Sequence, residues 1–474
     1  MYKLFFGGIS RFFLTIICTL VFICFIYSFV KYFISPEYFK LFYLKFVIII
    51  GITFVFLLLL IFFLNDTIIV YSNISFFSLL ISLFMVEIFF NINGKNVVND
   101  ISNRSEKAKK LNINFDTRSK FEFYQDYKKI YKDAVPSIPP NDFFLNYKDF
   151  KNKNDLYAIS GISKKNTVFC NEGGERIVYF SDRHGFRNND SFWDLEEIDI
   201  VLLGDSLAQG ACVSDKDTIH QRIIHYTKKS FLNLGYQGHG PLMQLASLKE
   251  YASKKKPKKV IWFYSETNDI DNLIYEHEWD IFNKYLYDKN FSQNLINKQS
   301  QIDNDHEAIY KEIYSNRQIA DRQKVEKKKN DLYFEIRSIV KLYNLRNFIS
   351  HFIPRRYSLT IHGYSPLNTF DTYEKIIDKA INITNSWGGK FYFVYYPHAA
   401  RYFESVIYPY PLRKYDYMKK KISSKKVIFV DLRKEVFEKH PDSKALYPLR
   451  ISGHPNEKGY DLVAEHISKV IMSD

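Results

Sequence analysis

Cysteine is scarce in this chain. Four occur in 474 residues, and Cys18 and Cys24 lie inside a long apolar run, which leaves Cys170 and Cys212. One pair in so large a domain says almost nothing about redox compartment. Nothing around Cys212 suggests an activated thiolate, so a buried cysteine is expected there. No zinc-ligand spacing, P-loop or aromatic-plus-basic RNA motif occurs, so no metal, no cofactor and no nucleic acid is expected. The net charge of +14 does not reverse this. Its lysines are scattered, and the compact runs Lys254–Lys256 and Lys327–Lys329 read as solvated faces.

Charge is missing altogether from two stretches, Phe12–Val30 and Phe46–Leu64, and Ile68–Phe90 contains only Glu87. Each is long enough to cross a bilayer core of roughly 30 Å as a helix. Residues 1–95 therefore read as a transmembrane region with spans at about 12–30, 46–64 and 68–90. A cleaved signal peptide is the alternative for the first run, but that run is long and no small-residue cleavage site follows it. Lys3 and Arg11 lie on one side of the bilayer. Lys31, Lys40, Lys45, Lys95, Arg104, Lys107, Lys109 and Lys110 lie on the other, so the Lys/Arg count leans towards a cytoplasmic C-terminal domain.

Residues 96–165 read as a charged connector, interrupted by the turn-rich Ala134–Asp142. From about 166 the pattern alternates. Apolar runs at Ile198–Leu203, Phe231–Leu234, Lys259–Tyr264, Lys390–Tyr396 and Val427–Val430 fit buried parallel strands. Amphipathic segments lie between them. One starts at Pro241 with Leu242, Leu245 and Leu248 along one side, and Tyr460–Met472 forms a closing helix. The expected fold is a doubly wound α/β parallel sheet, which binds ligands at the carboxyl ends of its strands. An insertion at about 271–372 exceeds what one crossover needs; it reads as a helical cap, an extra packing layer or a dimer contact.

Four short segments converge on that strand edge. Gly204-Asp205-Ser206 follows the first strand and puts a hydroxyl in the turn from strand to helix. After the second strand, Gly238 offers a backbone N–H that no side chain obstructs, and after the third, Asn268 offers an amide. With the Ser206 N–H these make three donors for an oxyanion. His454, in a loop before the last helix, is the best of the twelve histidines for the base that takes the Ser206 proton.

The order G-D-S, N-x-G-x-x-G, N-D and H-P-N-x-x-G resembles the SGNH (GDSL-type) hydrolase superfamily, from about Asp199 to the C-terminus apart from the insertion. The segments "TVFCNEGGERIVYFSDRHGFRNND" and "LKEYASKKKPKKVIWFYSETNDIDNL" are similar to a membrane-anchored bacterial subgroup. The resemblance implies a flavodoxin-like sheet, an inner-membrane location and esterase, deacetylase or acyl-transfer activity. Ser206 would be the nucleophile, Gly238 and Asn268 oxyanion donors, and His454 the base. The family's aspartate, three residues before the histidine, is replaced by Ile451, and Ser452 follows it. A Ser-His dyad with the imidazole on a backbone carbonyl is therefore expected, with Asp431 or Asp442 as substitutes from elsewhere. Glu266 reads as a ligand for a substrate hydroxyl, a supporting group or a surface residue. Asp205 and Asp269 are expected to brace their turns, His239 to have a conceivable binding role, and Arg187 to pin its segment to the sheet.

These features imply a membrane-anchored serine esterase acting on acyl, for example acetyl, esters of a glycan or lipid-linked saccharide. An acyltransferase on a surface polysaccharide is the second reading, and a non-catalytic scaffold in a glycan-assembly complex the third.

Overall fold

The computed structural model describes residues 2–34, 37–93, 100–140, 156–311, 339–342, 345, 367–403, 413–425 and 427–474. The connector over 141–155 and most of the insertion beyond residue 311 lie outside the described residues. The chain divides into two compact units, one of residues 1–97 and 328–364, the other of residues 98–327 and 365–474.

The first unit is built on three helices, α1 (Tyr2–Ile34), α2 (Glu37–Phe63) and α3 (Asp66–Asn93). All three are long and apolar enough to cross a membrane. The last carbonyls of α2 have no partner within their own helix. Arg11 supplies one, donating to Ile61 O at 2.6 Å and Leu64 O at 2.8 Å while pairing with Asp66 at 2.5 Å. Glu87, the lone charge of the third run, is buried and accepts the Leu345 N–H at 2.7 Å.

In the second unit, α4 (Asp100–Lys110) and α5 (Lys120–Ile130) come first. Ser119 and Glu122 start α5 with a reciprocal capping box. Three short strands follow as a small sheet. β1 (Val135–Pro136) lies parallel to β2 (Asn166–Val168), and β2 is antiparallel to β3 (Val178–Phe180). The connector residues described here thus form part of the same compact unit as the sheet that carries the site.

That main sheet has five parallel strands: β4 (Ile200–Leu203), β5 (Phe231–Asn233), β6 (Lys259–Ser265), β7 (Lys390–Tyr396) and β8 (Ile428–Asp431). Their order is β5-β4-β6-β7-β8, the flavodoxin-like arrangement, with a crevice where the order reverses beside β4. Successive side chains enter opposite layers. Val201, Leu203, Trp262, Tyr264 and Phe393 join one core; Ile200, Leu202, Ile261, Phe263 and Val394 join the other. Helices cover both faces, which is why the strands read as continuous apolar runs rather than alternating ones. Each such side chain contributes on the order of 1.5–3 kcal/mol when buried.

Helix Pro241–Ser247 begins at the expected proline, and Glu457–Ser473 packs against helix Ile219–Thr227 in the core that holds Ile200 and Phe231. The first part of the insertion is a packing layer. Phe282, Tyr285, Leu286, Leu295, Ile302 and Ile309 are all buried in the same core as Trp262 and Tyr264.

Candidate active site

β4 ends at Leu203 and Ser206 opens the helical turn Ser206–Gln209. Gly204 permits the tight handover: a Cβ there would lie 2.6 Å from Ala208 Cβ and 3.0 Å from Phe263 Cβ. Asp205 is fully buried and caps the turn, its Oδ1 accepting the Leu207 N–H at 2.9 Å. Its Oδ2 accepts from Asn268 Nδ2 at 2.8 Å, so the amide just past β6 is held against the serine turn. Burial raises the Asp205 pKa, and the bonds from Asn268 and Leu207 offset part of that rise.

The β5 loop is tied in from the other side. Gln237 N donates to Gln209 Oε1 at 2.8 Å, fixing the residue before Gly238 to the serine helix. Gly238 has φ +79° and its Cα carries no side chain to cover its N–H. Among the described residues, neither the Ser206 N–H nor the Gly238 N–H donates to a protein acceptor. Glu276, from the insertion, caps the helix that follows, accepting the N–H groups of Gly240 at 2.8 Å, Leu242 at 2.8 Å and Met243 at 3.2 Å.

His454 meets the serine directly, with Ser206 Oγ 2.9 Å from Nε2. The expectation of a dyad held by a backbone carbonyl is corrected here. His454 Nδ1 lies 2.7 Å from Oε1 of Glu172, and Oε2 of the same carboxylate accepts the His454 backbone N–H at 2.8 Å. A carboxylate can only accept, so Nδ1 carries the proton and Nε2 presents its lone pair to Ser206.

Neither substitute from elsewhere takes part. Asp431 is bonded to Tyr415 and Lys419, and Asp442 pairs with Arg450 at 2.6 Å. Ile451 and Ser452 supply no carboxylate, but Ser452 supplies a carbonyl that accepts from Arg104 Nη2 at 2.9 Å. That buried arginine, on α4, also donates to Glu172 O at 3.2 Å and lies 3.5 Å from its carboxylate. Gly453 leaves room for this packing, since a Cβ there would lie 2.3 Å from Glu172 Oε2 and 2.7 Å from Arg104 Nη2.

Burial disfavours the charged form of both partners, and their mutual attraction outweighs it. The His454 pKa lies above its ordinary value because of the charge and hydrogen bond of Glu172. Glu172 lies below the usual carboxylate range because of His454 and Arg104.

Glu172 sits at the tip of the β2–β3 hairpin. Asn171 and Gly174 shape that tip, Oδ1 accepting the Gly174 N–H at 2.9 Å. Cys170, two residues before Glu172, is joined by a disulfide to Cys212 in the loop after the serine helix. Cys212 is buried as expected, and it is paired in addition. The two cysteines outside the apolar runs were the sequence signal that could have brought Glu172 and Ser206 together.

Other expected residues divide by what they touch. Both oxygens of buried Glu266 are engaged by Arg401, one also by the His398 N–H at 2.8 Å, so it holds the loop after β7. Asp269 is buried against Gln244 at 3.4 Å, and burial with Asp205 and Glu276 nearby holds its pKa well above the usual range. His239 is buried, with Nε2 2.7 Å from Ile159 O. Arg187 donates to Gly210 O at 2.6 Å and Val213 O at 2.9 Å, pinning its segment to the loop behind the serine helix.

No family model matches the chain, and no curated protein matches it. Solved structures do show similarity. One is a protein from Desulfitobacterium hafniense DCB-2 described as lipolytic and of the G-D-S-L family, at 12% identity over 58% of this chain and 99% of that chain, with a TM-score of 0.32. Another, from Bacteroides fragilis NCTC 9343, is described as an acylhydrolase, at 14% identity over 60% of this chain and 93% of that one, with a TM-score of 0.31.

The geometry itself defines the available chemistry. A hydroxyl faces an unprotonated imidazole nitrogen, a carboxylate holds the other nitrogen, and two backbone N–H groups and an amide flank the hydroxyl's turn. Such a set can activate an oxygen nucleophile and neutralise an oxyanion.

Proposed function

We propose that this chain is a membrane-anchored serine esterase using Glu172, His454 and Ser206 as a relay. The observation that carries the reading is the continuous line of contacts Glu172 Oε1, His454 Nδ1, His454 Nε2 and Ser206 Oγ, at 2.7 and 2.9 Å. Ser206 Oγ attacks the ester carbonyl as its proton passes to Nε2. The Ser206 and Gly238 N–H groups and the Asn268 amide receive the negative oxygen. His454 returns the proton to the departing alkoxide, and water, deprotonated by the same nitrogen, cleaves the acyl-enzyme. The substrate class is an acyl ester, such as an acetyl ester, on a glycan or lipid-linked saccharide; the helices that could cross a membrane support a substrate presented there.

A fluorophosphonate probe, which labels activated serines, tests this on the detergent-solubilised chain. Labelling of the parent is expected, with loss in Ser206→Ala and His454→Ala. A folded parent that does not label would overturn the reading. Products formed with and without a sugar acceptor then distinguish hydrolysis from transfer.

The disulfide also bears on sidedness. Disulfides persist in oxidising compartments, which supports a catalytic unit facing away from the cytosol, opposite to the Lys/Arg count. A C-terminal alkaline phosphatase fusion is expected to be active in bacterial cells; an inactive fusion beside an active C-terminal green fluorescent one would reverse this orientation.

A further inference from the structure

We propose that the Cys170–Cys212 disulfide is a positioning device for the catalytic acid, holding Glu172 against His454 by fastening the hairpin tip to the loop behind the nucleophile. The proposal rests on the esterase reading above and adds to it a residue pair that acts through Glu172.

The two ends of the crosslink lie on elements that already pack on each other behind the serine helix. On the Cys212 side, Arg187 binds the carbonyls of Gly210 and Val213, which flank the cysteine, and its guanidinium lies 5.0 Å from the centre of the Tyr179 ring. Ala211 and Cys212 are packed with Phe169 and Tyr179 in a small buried cluster. On the Cys170 side the chain is a two-strand hairpin whose tip residues Gly173 and Glu175 are exposed. Its ladder continues through Phe169 N–H to Ile177 O at 2.8 Å and Ile177 N–H to Cys170 O at 2.9 Å, and its tip is tied to Asp116 by Gly174 and Asn171, but none of these bonds acts on the Glu172 side chain itself. The acid must nevertheless sit within hydrogen-bond distance of an imidazole that comes from the far end of the chain. The disulfide adds a covalent link between the hairpin and the loop behind the nucleophile two residues from the acid.

Proximity supports the same assignment. One sulfur, one imidazole nitrogen and one carboxylate oxygen from Cys212, His454 and Glu172 all lie within 4.8 Å of one another. Cys212 also has φ +61°, in the left-handed region that is unfavourable for a residue bearing a Cβ. A glycine would relieve that cost, so the side chain itself is what the position uses. Arg104 is a further restraint on the tip, through the Glu172 carbonyl and carboxylate.

The test compares the parent with a Cys170→Ser/Cys212→Ser double variant and with parent reduced by dithiothreitol. The reagent gives two electrons and two protons to the disulfide, yielding two thiols, and is itself oxidised to its cyclic disulfide. A chelator is included, because reduction frees a thiol beside His454 and Glu172. The rate of fluorophosphonate labelling of Ser206 is followed against pH, with melting temperature measured in parallel.

Loss of acid positioning is expected to slow labelling near neutral pH by about 10²-fold, the scale of an ångström-sized misplacement. The acidic limb of the rate profile should also move to lower pH. Glu172 raises the His454 pKa, whereas burial and Arg104 lower it and the more distant Asp205 raises it. Without a well-placed Glu172 the imidazole therefore deprotonates earlier. Reoxidation should restore both properties in the parent and neither in the double variant.

If the crosslink merely stabilises, its loss would lower the melting temperature and leave the rate and the limb unchanged below it, and that result would overturn the proposal. If the double variant does not fold, the reduced parent, assayed below its own melting temperature, decides by the same two readouts. A parent that never labels would instead be a failure of the esterase reading.

Discussion

Replacing Glu172 by Gln is expected to lower kcat/KM for a chromogenic acyl ester by about 10²- to 10⁴-fold while leaving the chain folded. The carboxylate accepts two hydrogens from His454, one from the ring and one from the backbone. A carboxamide has one accepting oxygen and one donating nitrogen, so one of those contacts becomes donor against donor. If the oxygen keeps the backbone N–H, the ring must move its proton to Nε2 and can no longer take one from Ser206. The charge that stabilises the imidazolium in the transition state is lost as well, and buried Arg104 is left beside a neutral group. The pH profile supplies a second reading. The base form of His454 is required, so parent activity falls as pH drops through a pKa held above the ordinary imidazole value by Glu172. In Glu172→Gln that limb should shift to lower pH even as the plateau falls. Asp431→Asn and Asp442→Asn should keep parent kinetics, because those carboxylates are bonded to Tyr415 and Arg450 instead. A Glu172→Gln enzyme within threefold of the parent would remove the carboxylate from the mechanism.

That carboxylate also shows where sequence reading stops. The five strands, Ser206, Gly238, Asn268 and His454 are legible because each depends on local chemistry: an apolar run for a sheet buried on both faces, a small residue at the handover from β4, a loop immediately before an amphipathic helix. Glu172 has no such local mark. It precedes the nucleophile in the chain, lies on a different sheet, and reaches the imidazole only because β2 and β3 form a hairpin whose tip is brought in by α4 and the disulfide. The empty place at Ile451 was visible and its replacement was not, since replacement needs only a carboxylate in space, from any element. The same holds for Glu266. Its position beside Asn268 allowed a substrate contact, yet Arg401 from the loop after β7 engages both its oxygens. For Glu276, nothing in the insertion's sequence indicates that its carboxyl group caps the helix after Gly238.

Asn268 offers the other large effect, because in the proposed mechanism its amide, already held by Asp205, would also meet the oxyanion. One N–H of Nδ2 is committed to Asp205 at 2.8 Å, which leaves the second to meet an oxyanion. Removing one such donor costs about 10²- to 10³-fold in kcat, so Asn268→Ala should lose at least that, with KM little changed because the contact strengthens only as charge develops. Asn268→Asp should be worse at neutral pH. It keeps the size of the side chain, removes the donor, and sets a third carboxyl group beside Asp205 and Asp269, both buried and both already held above their usual pKa range. Carboxylates sharing a site cannot all ionise, so protons would be retained among them. The measurement is kcat and KM for the parent, Asn268→Ala and Asn268→Asp across pH, with melting temperatures to separate lost catalysis from lost fold. The expected order of kcat is parent, then Asn268→Ala, then Asn268→Asp. Equal kcat in the parent and Asn268→Ala would show that the amide only braces Asp205, leaving the backbone N–H groups of Ser206 and Gly238 as the whole oxyanion site.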